Sequence, residues 1–255
     1  MIKKEKEAEL LELAVEAAIL AGEEIMKIYD QNFEVLTKKD NSPLTIADQN
    51  ANKIIENQLQ KTQIPILSEE GKHASYKERK SWKHLWIVDP LDGTKEFVKR
   101  NGEFTVNIAL VENGVPIMGI IYVPVTKVLY YSSSLGAFKK INKKILRLPL
   151  NNDRNSLVVV GSRSHQSKET AEYFAELKKN NGAIEIISMG SSLKICLVAE
   201  GKADIYPRFA PTMEWDTAAG HAIVNASGKS LKDYHTGSEM IYNRENLINN
   251  WFIVK

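Results

Sequence analysis

Residues 86–97 read WIVDPLDGTKEF, an apolar run of strand length that ends abruptly on two acids. Pro90 and Gly93 fix the turn between and after Asp89 and Asp92, so the segment predicts a buried strand followed by the start of a short helix. Two carboxylates this close together repel each other. The fold must therefore place a neutralising group beside this strand end.

Composition limits the class of protein. The chain has 255 residues, 43% hydrophobic and 26% charged, which is enough for one large domain or two closely packed lobes. Its 34 basic and 32 acidic residues are interspersed and give a net charge of +2, so we expect no nucleic-acid polymer as a partner. The single cysteine, Cys196, excludes an intramolecular disulfide framework. No transmembrane segment is expected, and we predict a soluble, cytoplasmic protein; oligomeric state and peripheral association with the inner membrane are left open.

The spacing of apolar residues changes along the chain. It predicts a long amphipathic helix over the first thirty or so residues and a second helix from about Thr45 to Leu59. Short strands ending in acids follow, then a β-meander over 104–131 with a turn at Asn113-Gly114. The second half alternates strands at 157–160, 184–187, 203–206 and 251–254 with helices at 167–180, 191–199 and 216–226. An α+β fold with two closely packed lobes, 1–150 and 151–255, is the expected result.

Four acids occupy one kind of position. Glu69 follows one apolar strand, Asp89 and Asp92 follow another, and Asp216 begins a helix. In an α/β assembly, strand C-termini and the helix N-termini after them converge on one crevice. An all-oxygen ligand set there, without a His or Cys cluster, favours a hard divalent cation and above all magnesium. Asp216 alone would be an ordinary helix cap.

Spacing separates this chain from two other motifs. An EF-hand beginning at Asp89 would need an oxygen ligand at its third position and glycine at its sixth, where this chain has Leu91 and Thr94. Phosphatases with an aspartate nucleophile have one residue between their acids, whereas two intervene here. A covalent aspartyl-phosphate is therefore disfavoured, and water activated by metal is the better mechanism.

Three motifs resemble those of the inositol monophosphatase superfamily of lithium-sensitive, magnesium-dependent phosphatases and occur in the same order. They are SEE at 68–70, DPLDGT at 89–94 and WDTAA at 215–219. Residues 95–110 and the segments 190–194, 197–201 and 206–209 are similar to its CysQ branch, the bacterial 3'(2'),5'-bisphosphate nucleotidases. The resemblance covers nearly the whole chain. It implies a layered αβαβα sandwich of the inositol monophosphatase/fructose-1,6-bisphosphatase type, working as a single catalytic unit in which the first lobe carries most metal ligands.

The resemblance also implies roles for individual residues. Glu69, Asp89 and the backbone carbonyl of Leu91 would hold one Mg²⁺, and Asp89, Asp92 and Asp216 a second, with a third, weaker ion near Glu69 left open. The catalytic residues would be Thr94, hydrogen-bonded to Asp48 to orient and deprotonate the attacking water, and Glu69, which assists. Substrate contacts are expected from Glu69, Leu91, Asp92, Gly93, Thr94, His165, Gly190, Lys194 and Asp216.

The implied substrate is a small nucleotide. We expect a phosphoric monoester hydrolase that removes the 3'-phosphate of adenosine 3',5'-bisphosphate, giving AMP and phosphate. His165, Gly190 and Lys194 are the candidates for contacts to the base, the ribose and the second phosphate. Two alternatives stay open: an inositol monophosphatase or fructose-1,6-bisphosphatase on the same scaffold, and a catalytically inactive nucleotide-binding regulator.

Overall fold

The computed structural model describes residues 2–30, 35–37, 43–151, 154–161 and 167–255, with the backbone alone for 35–37 and 43–45. The helices are α1 (Lys4–Tyr29), α2 (Ile46–Leu59), α3 (Tyr76–Arg79), α4 (Thr94–Val98), α5 (Lys168–Asn181), α6 (Leu193–Ala199) and α7 (Glu214–Ala226), with a 3-10 turn at Gln60–Thr62. The strands are β1 (Val35–Thr37), β2 (Pro43–Thr45), β3 (Ile66–Ser68), β4 (His84–Asp92), β5 (Thr105–Glu112), β6 (Val115–Val123), β7 (Val128–Ser133), β8 (Gly136–Ile141), β9 (Lys144–Arg147), β10 (Leu157–Gly161), β11 (Ile184–Ser188), β12 (Tyr206–Arg208), β13 (Leu231–Asp233) and β14 (Phe252–Val254).

A seven-stranded sheet forms the centre of the described structure, with its strands in the order β3-β4-β5-β6-β7-β8-β9. Strand β3 runs parallel to β4, and all the other neighbours are antiparallel. The hairpin between β5 and β6 turns at Asn113 and Gly114, both with positive φ, as an Asn-Gly pair favours. The predicted meander is confirmed.

Both faces of this sheet are covered, which explains the unbroken apolar runs in its strands. Along β4, Leu85 and Ile87 belong to one hydrophobic core, whereas Trp86 and Val88 belong to the core on the opposite face. Helices α1 and α2 pack on the Trp86 side and α7 on the other. Successive strand residues point to opposite faces, so a strand between two helical layers is apolar at every position.

Strands β10 to β14 form a further layer, whereas β1 and β2 pair only with each other, in antiparallel orientation. Strands β10 and β11 pair in parallel, β14 lies between β12 and β13, and a bridge from Val159 to Ile205 links the two groups. Helix α6 contacts β10, β12 and α7, and α5 contacts β11. The expected αβαβα layering is confirmed, and the division into lobes 1–150 and 151–255 stays a prediction.

Helix α7 approaches the central sheet unusually closely at Gly119 in β6. A Cβ atom built on Gly119 would lie 2.1 Å from the carbonyl oxygen of Ala219. Because real Cβ contacts are much longer, only glycine allows this approach. The position of α7, and of the Asp216 that it carries, is thereby set against the sheet.

Most predicted ends of helices and strands lie within two residues of those observed; for example, α6 begins at Leu193 and α7 at Glu214. Two differences are larger. The strand expected at 203–206 begins only at Tyr206, because the backbone N–H groups of Asp204 and Ile205 both donate to the carbonyl of Val158. The sheet also continues past the predicted meander into β8 and β9, where lysines interrupt the apolar alternation. Among the helices of the described part of the chain, none combines the length and hydrophobicity needed to cross a membrane.

Candidate metal and phosphate site

The end of β4 brings its two acids to one edge of the sheet. The pairing of β4 with β5 is irregular between Asp89 and Asp92, and the Leu91 backbone N–H donates to Oδ1 of Asp89 at 3.1 Å. The adjacent strand β3 ends at Ser68, and the N–H of Glu69 donates to the carbonyl of Val88 at 3.1 Å. Parallel pairing of β3 with β4 therefore places Glu69 at the same edge as the β4 acids.

Helix α7 contributes the third acid. Asp216 lies in its first turn, where Oδ2 accepts a hydrogen bond of 2.7 Å from the N–H of Met213. One oxygen each from Asp89, Asp92 and Asp216 lies within 4.8 Å of the others. Among the described residues, Glu69 is outside this group, but its charge acts on both Asp89 and Asp216. The structure thus joins acids that are 127 positions apart in the chain.

Burial and mutual repulsion shift the pKa values of the three acids upward. Burial, and then the charges of Glu69, Asp92, Asp216 and Asp48, raise the pKa of Asp89 well above its usual value. Burial raises the pKa of Asp216 to about 8, reinforced by Asp92. Burial also raises the pKa of Asp92, although Lys194 and three hydrogen bonds oppose it. Oxygen donors arranged in this way fit a hard divalent cation, which would reverse these shifts.

The predicted catalytic pair flanks the acids. Asp48 is buried in the first turn of α2, and its charge contributes to the raised pKa of Asp89. Thr94 begins α4, and its hydroxyl lies 3.5 Å from the carbonyl oxygen of Leu91. Gly93 caps that helix with φ of 96°, a left-handed conformation that glycine adopts freely. The hydrogen bond between Thr94 and Asp48 stays a prediction.

Asp92 is held by residues that sequence reasoning missed. Its Oδ2 accepts hydrogen bonds from the backbone N–H of Ser192 at 2.6 Å and from Nδ2 of Asn107 at 3.2 Å. The Ser192 hydroxyl donates to Oδ1 of Asn107 at 2.9 Å and lies 2.8 Å from the hydroxyl of Thr105. The available signal was Asn107 itself, a polar residue inside the apolar run of β5.

Two of the predicted nucleotide contacts, Gly190 and Lys194, lie near Asp92. The N–H of Gly190 donates to Oε2 of Glu103 at 2.7 Å, and a Cβ atom at Gly190 would lie only 2.6 Å from Cγ of Glu96. Lys194 is the second residue of α6, and its ammonium group donates to the carbonyl of Ser191 at 2.7 Å. Burial lowers the pKa of Lys194 to about 8, while the charge of Asp92 opposes that shift.

A cavity of about 300 Å³ opens onto these residues. Asp92, Gly93, Gly190, Lys194 and Asp216 line it, and Glu69, Asp89, Leu91, Thr94 and Asp48 are not among its lining residues. His165 lies outside the described residues. Further lining residues are Lys95, Lys99, Arg208, Thr212 and Thr217, so the cavity wall carries cationic groups as well as acids. A negatively charged ligand could therefore bind here, with its charge facing these cationic side chains and a metal held by the acids.

Comparison with known proteins points in one direction. The model of the inositol monophosphatase family matches residues 6–253. The 3'(2'),5'-bisphosphate nucleotidase CysQ of Salmonella typhimurium is 46% identical over 250 residues, covering 96% of this chain and 99% of that protein. The crystal structure of CysQ from Bacteroides thetaiotaomicron, a bacterial member of the inositol monophosphatase family, aligns with a TM-score of 0.91 at 52% identity, over 98% of this chain and 97% of the other. The suhB protein of Bartonella henselae aligns at 0.76 and 27% identity, over 95% and 92%.

Proposed function

Since this chain belongs to the inositol monophosphatase family, we propose that it is a magnesium-dependent 3'(2'),5'-bisphosphate nucleotidase. Its reaction is hydrolysis of adenosine 3',5'-bisphosphate: a water oxygen bonds to the 3'-phosphorus, the bond from phosphorus to the 3'-oxygen breaks, and AMP and phosphate leave. The observation that carries the proposal is the group of Asp89, Asp92 and Asp216, of which Asp92 and Asp216 line a cavity that is also lined by Lys194. The names of the related CysQ proteins support this substrate.

The metal ligands follow from the acid group. We assign Glu69, Asp89 and the carbonyl of Leu91 to one Mg²⁺ and Asp89, Asp92 and Asp216 to a second; a third, weaker ion near Glu69 is left open. Magnesium bound there would activate the attacking water and stabilise negative charge on the attacking and leaving oxygens. Lobe 1–150 then supplies most of the ligands, and lobe 151–255 supplies Asp216, so that the two work as one catalytic unit.

The chain's own residues orient the reactants. Thr94 orients the attacking water and takes its proton, while the hydroxyl proton of Thr94 passes to the carboxylate of Asp48, with Glu69 assisting. The N–H groups of Gly93 and Thr94 bind the phosphate that is cleaved. Gly190, Lys194 and His165 bind the remainder of the nucleotide. Of these, Gly190 and Lys194 line the same cavity as Asp92, which supports this assignment.

A substrate panel tests the proposal. Phosphate release would be measured from adenosine 3',5'-bisphosphate, inositol 1-phosphate and fructose 1,6-bisphosphate with Mg²⁺, each with and without Li⁺. We expect the nucleotide to have the highest kcat/KM and lithium to inhibit. A preference for either sugar-like substrate would favour the alternative phosphatases. Tight nucleotide binding in calorimetry without phosphate release would instead favour a catalytically inactive regulator.

A further inference from the structure

Three polar side chains hold the first turn of α7, the turn that presents Asp216. We call Glu214, Arg244 and Asn249 the α7 cradle. Glu214 is fully buried, Asn249 is 4% exposed, and Arg244 is partly exposed. Buried polar groups are costly unless hydrogen-bonded. All three make such bonds: Arg244 bonds to both Glu214 and Asn249, and Asn249 bonds to the residues around Asp216.

Asn249 contacts this turn on both sides of Asp216. Its Nδ2 donates to the carbonyl of Met213 at 2.7 Å and to the hydroxyl of Thr217 at 2.9 Å, and lies 3.1 Å from the hydroxyl of Thr212. The backbone N–H of Asn249 also donates to the carbonyl of Thr212 at 2.8 Å. Met213 is the residue whose N–H donates to Asp216, so Asn249 and Asp216 secure the same short stretch of backbone.

Asn249 is itself fixed in place. Its Oδ1 accepts a 2.7 Å hydrogen bond from Nη2 of Arg244, and Nε of Arg244 donates to Oε1 of Glu214 at 3.1 Å. The Glu214 carboxylate also accepts the backbone N–H groups of Asn243 and Arg244. These contacts determine the orientation of the Asn249 amide, so that its NH₂ group faces α7.

The cradle rests on the lobe that carries the other acids. Arg79, in α3, donates through Nη1 to Oδ1 of Asn243 at 2.9 Å and to the carbonyl of Arg244 at 3.0 Å. Asn243 returns a 2.7 Å hydrogen bond from Nδ2 to the carbonyl of Arg79. The segment that holds α7 is thus attached to the segment that follows Glu69, rather than to α7 alone.

Mutual repulsion makes such support necessary. Without a cation, Asp216 faces Asp89 and Asp92 within 4.8 Å, and the repulsion favours withdrawal of the first turn of α7. We propose that Asn249 is a positioning residue that keeps this turn, and with it Asp216, in the metal-binding arrangement before the ion arrives. The inference rests on the metal site of the proposed function. It adds a residue that touches neither substrate nor metal and acts through the backbone.

Metal binding to the metal-free, full-length protein tests this role. Asn249→Ala would be compared with Asn250→Ala, a matched control whose side chain donates instead to Asp233. Titration calorimetry with Mn²⁺ should give a Kd at least about tenfold higher for Asn249→Ala and an unchanged Kd for Asn250→Ala. The rise in melting temperature on adding Mn²⁺ should also be smaller in Asn249→Ala than in the wild type. A merely structural role would instead lower the melting temperature equally with and without Mn²⁺ and leave Kd unchanged.

A milder variant keeps the test decisive if Asn249→Ala does not fold. Arg244→Lys retains a positive charge near Glu214 but loses the Nη2 bond to Asn249, and it should raise the Kd for Mn²⁺ by a smaller factor. If the wild type binds Mn²⁺ and both variants bind it with the wild-type Kd, the positioning role of Asn249 is wrong while the proposed function stands. If the wild type binds no Mn²⁺, the metal site itself is wrong, and both proposals fall.

Discussion

The backbone N–H of Ser192 donates to Oδ2 of Asp92 across 2.6 Å. Ser192 lies between Gly190 and Lys194, two of the predicted nucleotide contacts, at the start of α6, and Asp92 belongs to the acid group. One carboxylate oxygen therefore connects the part of the cavity assigned to the nucleotide with the part assigned to the metal. Binding at the two places should be coupled, since any movement of this carboxylate changes both.

Asp92→Asn is expected to weaken Mg²⁺ binding by at least about tenfold and to remove most of the turnover. Asparagine preserves the size of the side chain but removes the negative charge, so the fold should persist. Calorimetric titration, phosphate release and a thermal melt would measure the three effects. Asp30→Asn, at the exposed end of α1, is the charge-matched control. Near-normal activity in Asp92→Asn would contradict the assignment of this residue as a ligand.

Without metal, the stability of the protein should fall as pH rises. The pKa of Asp216 is about 8 in the folded protein, and that of Asp89 is also raised, whereas both should be near 4 when unfolded. The folded state then binds more protons than the unfolded state between these values, so their stabilising contribution is complete below about pH 4 and is lost as pH rises through about 8.

Thermal melts in a chelator at about pH 5.5 and about pH 8.5 would measure this loss. Asp216→Asn should reduce the pH dependence, because its amide does not titrate. Saturating Mg²⁺ should also reduce it, since a bound cation favours the ionised acids. Metal affinity should increase over the same pH range. If the metal-free wild type loses no more stability between the two pH values than Asp216→Asn does, the raised pKa values of the clustered acids are wrong.

Lys194→Met should raise the KM for adenosine 3',5'-bisphosphate by about tenfold, equivalent to about 1.4 kcal/mol, and change kcat less. The Lys194 side chain is partly buried and lines the cavity, and methionine replaces its length without its charge. In the wild type, KM should also rise above about pH 8, because the pKa of Lys194 is about 8 and its charge is lost there. Lys178→Met, on the exposed face of α5, serves as the control. An unchanged KM would remove Lys194 from the substrate contacts.

Gly119→Ala is expected to destabilise the protein by about 1–3 kcal/mol, the usual range for an overpacked interior. The new methyl group would meet the carbonyl of Ala219, and relief requires α7 to move away from the sheet. Denaturant unfolding would measure the stability, and Mn²⁺ titration should show weaker binding. Gly161→Ala, also in a strand but with its nearest atom 3.4 Å from the new Cβ, should have a much smaller effect on both.

Local patterns predicted much of the fold and the positions of the acids. The long α1 helix, the Asn-Gly hairpin and the apolar β4 strand each depend on residues close together in sequence, so their periodicity was sufficient. Strand pairing in β8 and β9 was missed because cross-strand partners, rather than a strong alternation, stabilise these lysine-containing segments.

The supports of the acids could not be predicted in the same way. Ser192 lies 100 positions from Asp92, and Asn249 lies 33 positions from Asp216. Serine and asparagine are common surface residues, and nothing local distinguishes those that donate to a buried partner. Only the tertiary structure shows which of them are buried and which acceptor each one reaches.

The close contact between Gly119 and Ala219 also affects the spacing of the acids in the proposed metal site. Asp89 and Asp92 belong to the sheet, and Asp216 belongs to the helix that packs on it. The distance between the sheet and α7 therefore sets the distance between the carboxylates that would bind the cation. This distance depends on the absence of a side chain at Gly119, in a strand that contributes no metal ligand. Substitutions at position 119 should therefore lower the activity in a mutational scan, the more so the larger the new side chain, although Gly119 does not line the cavity and has no reactive side chain.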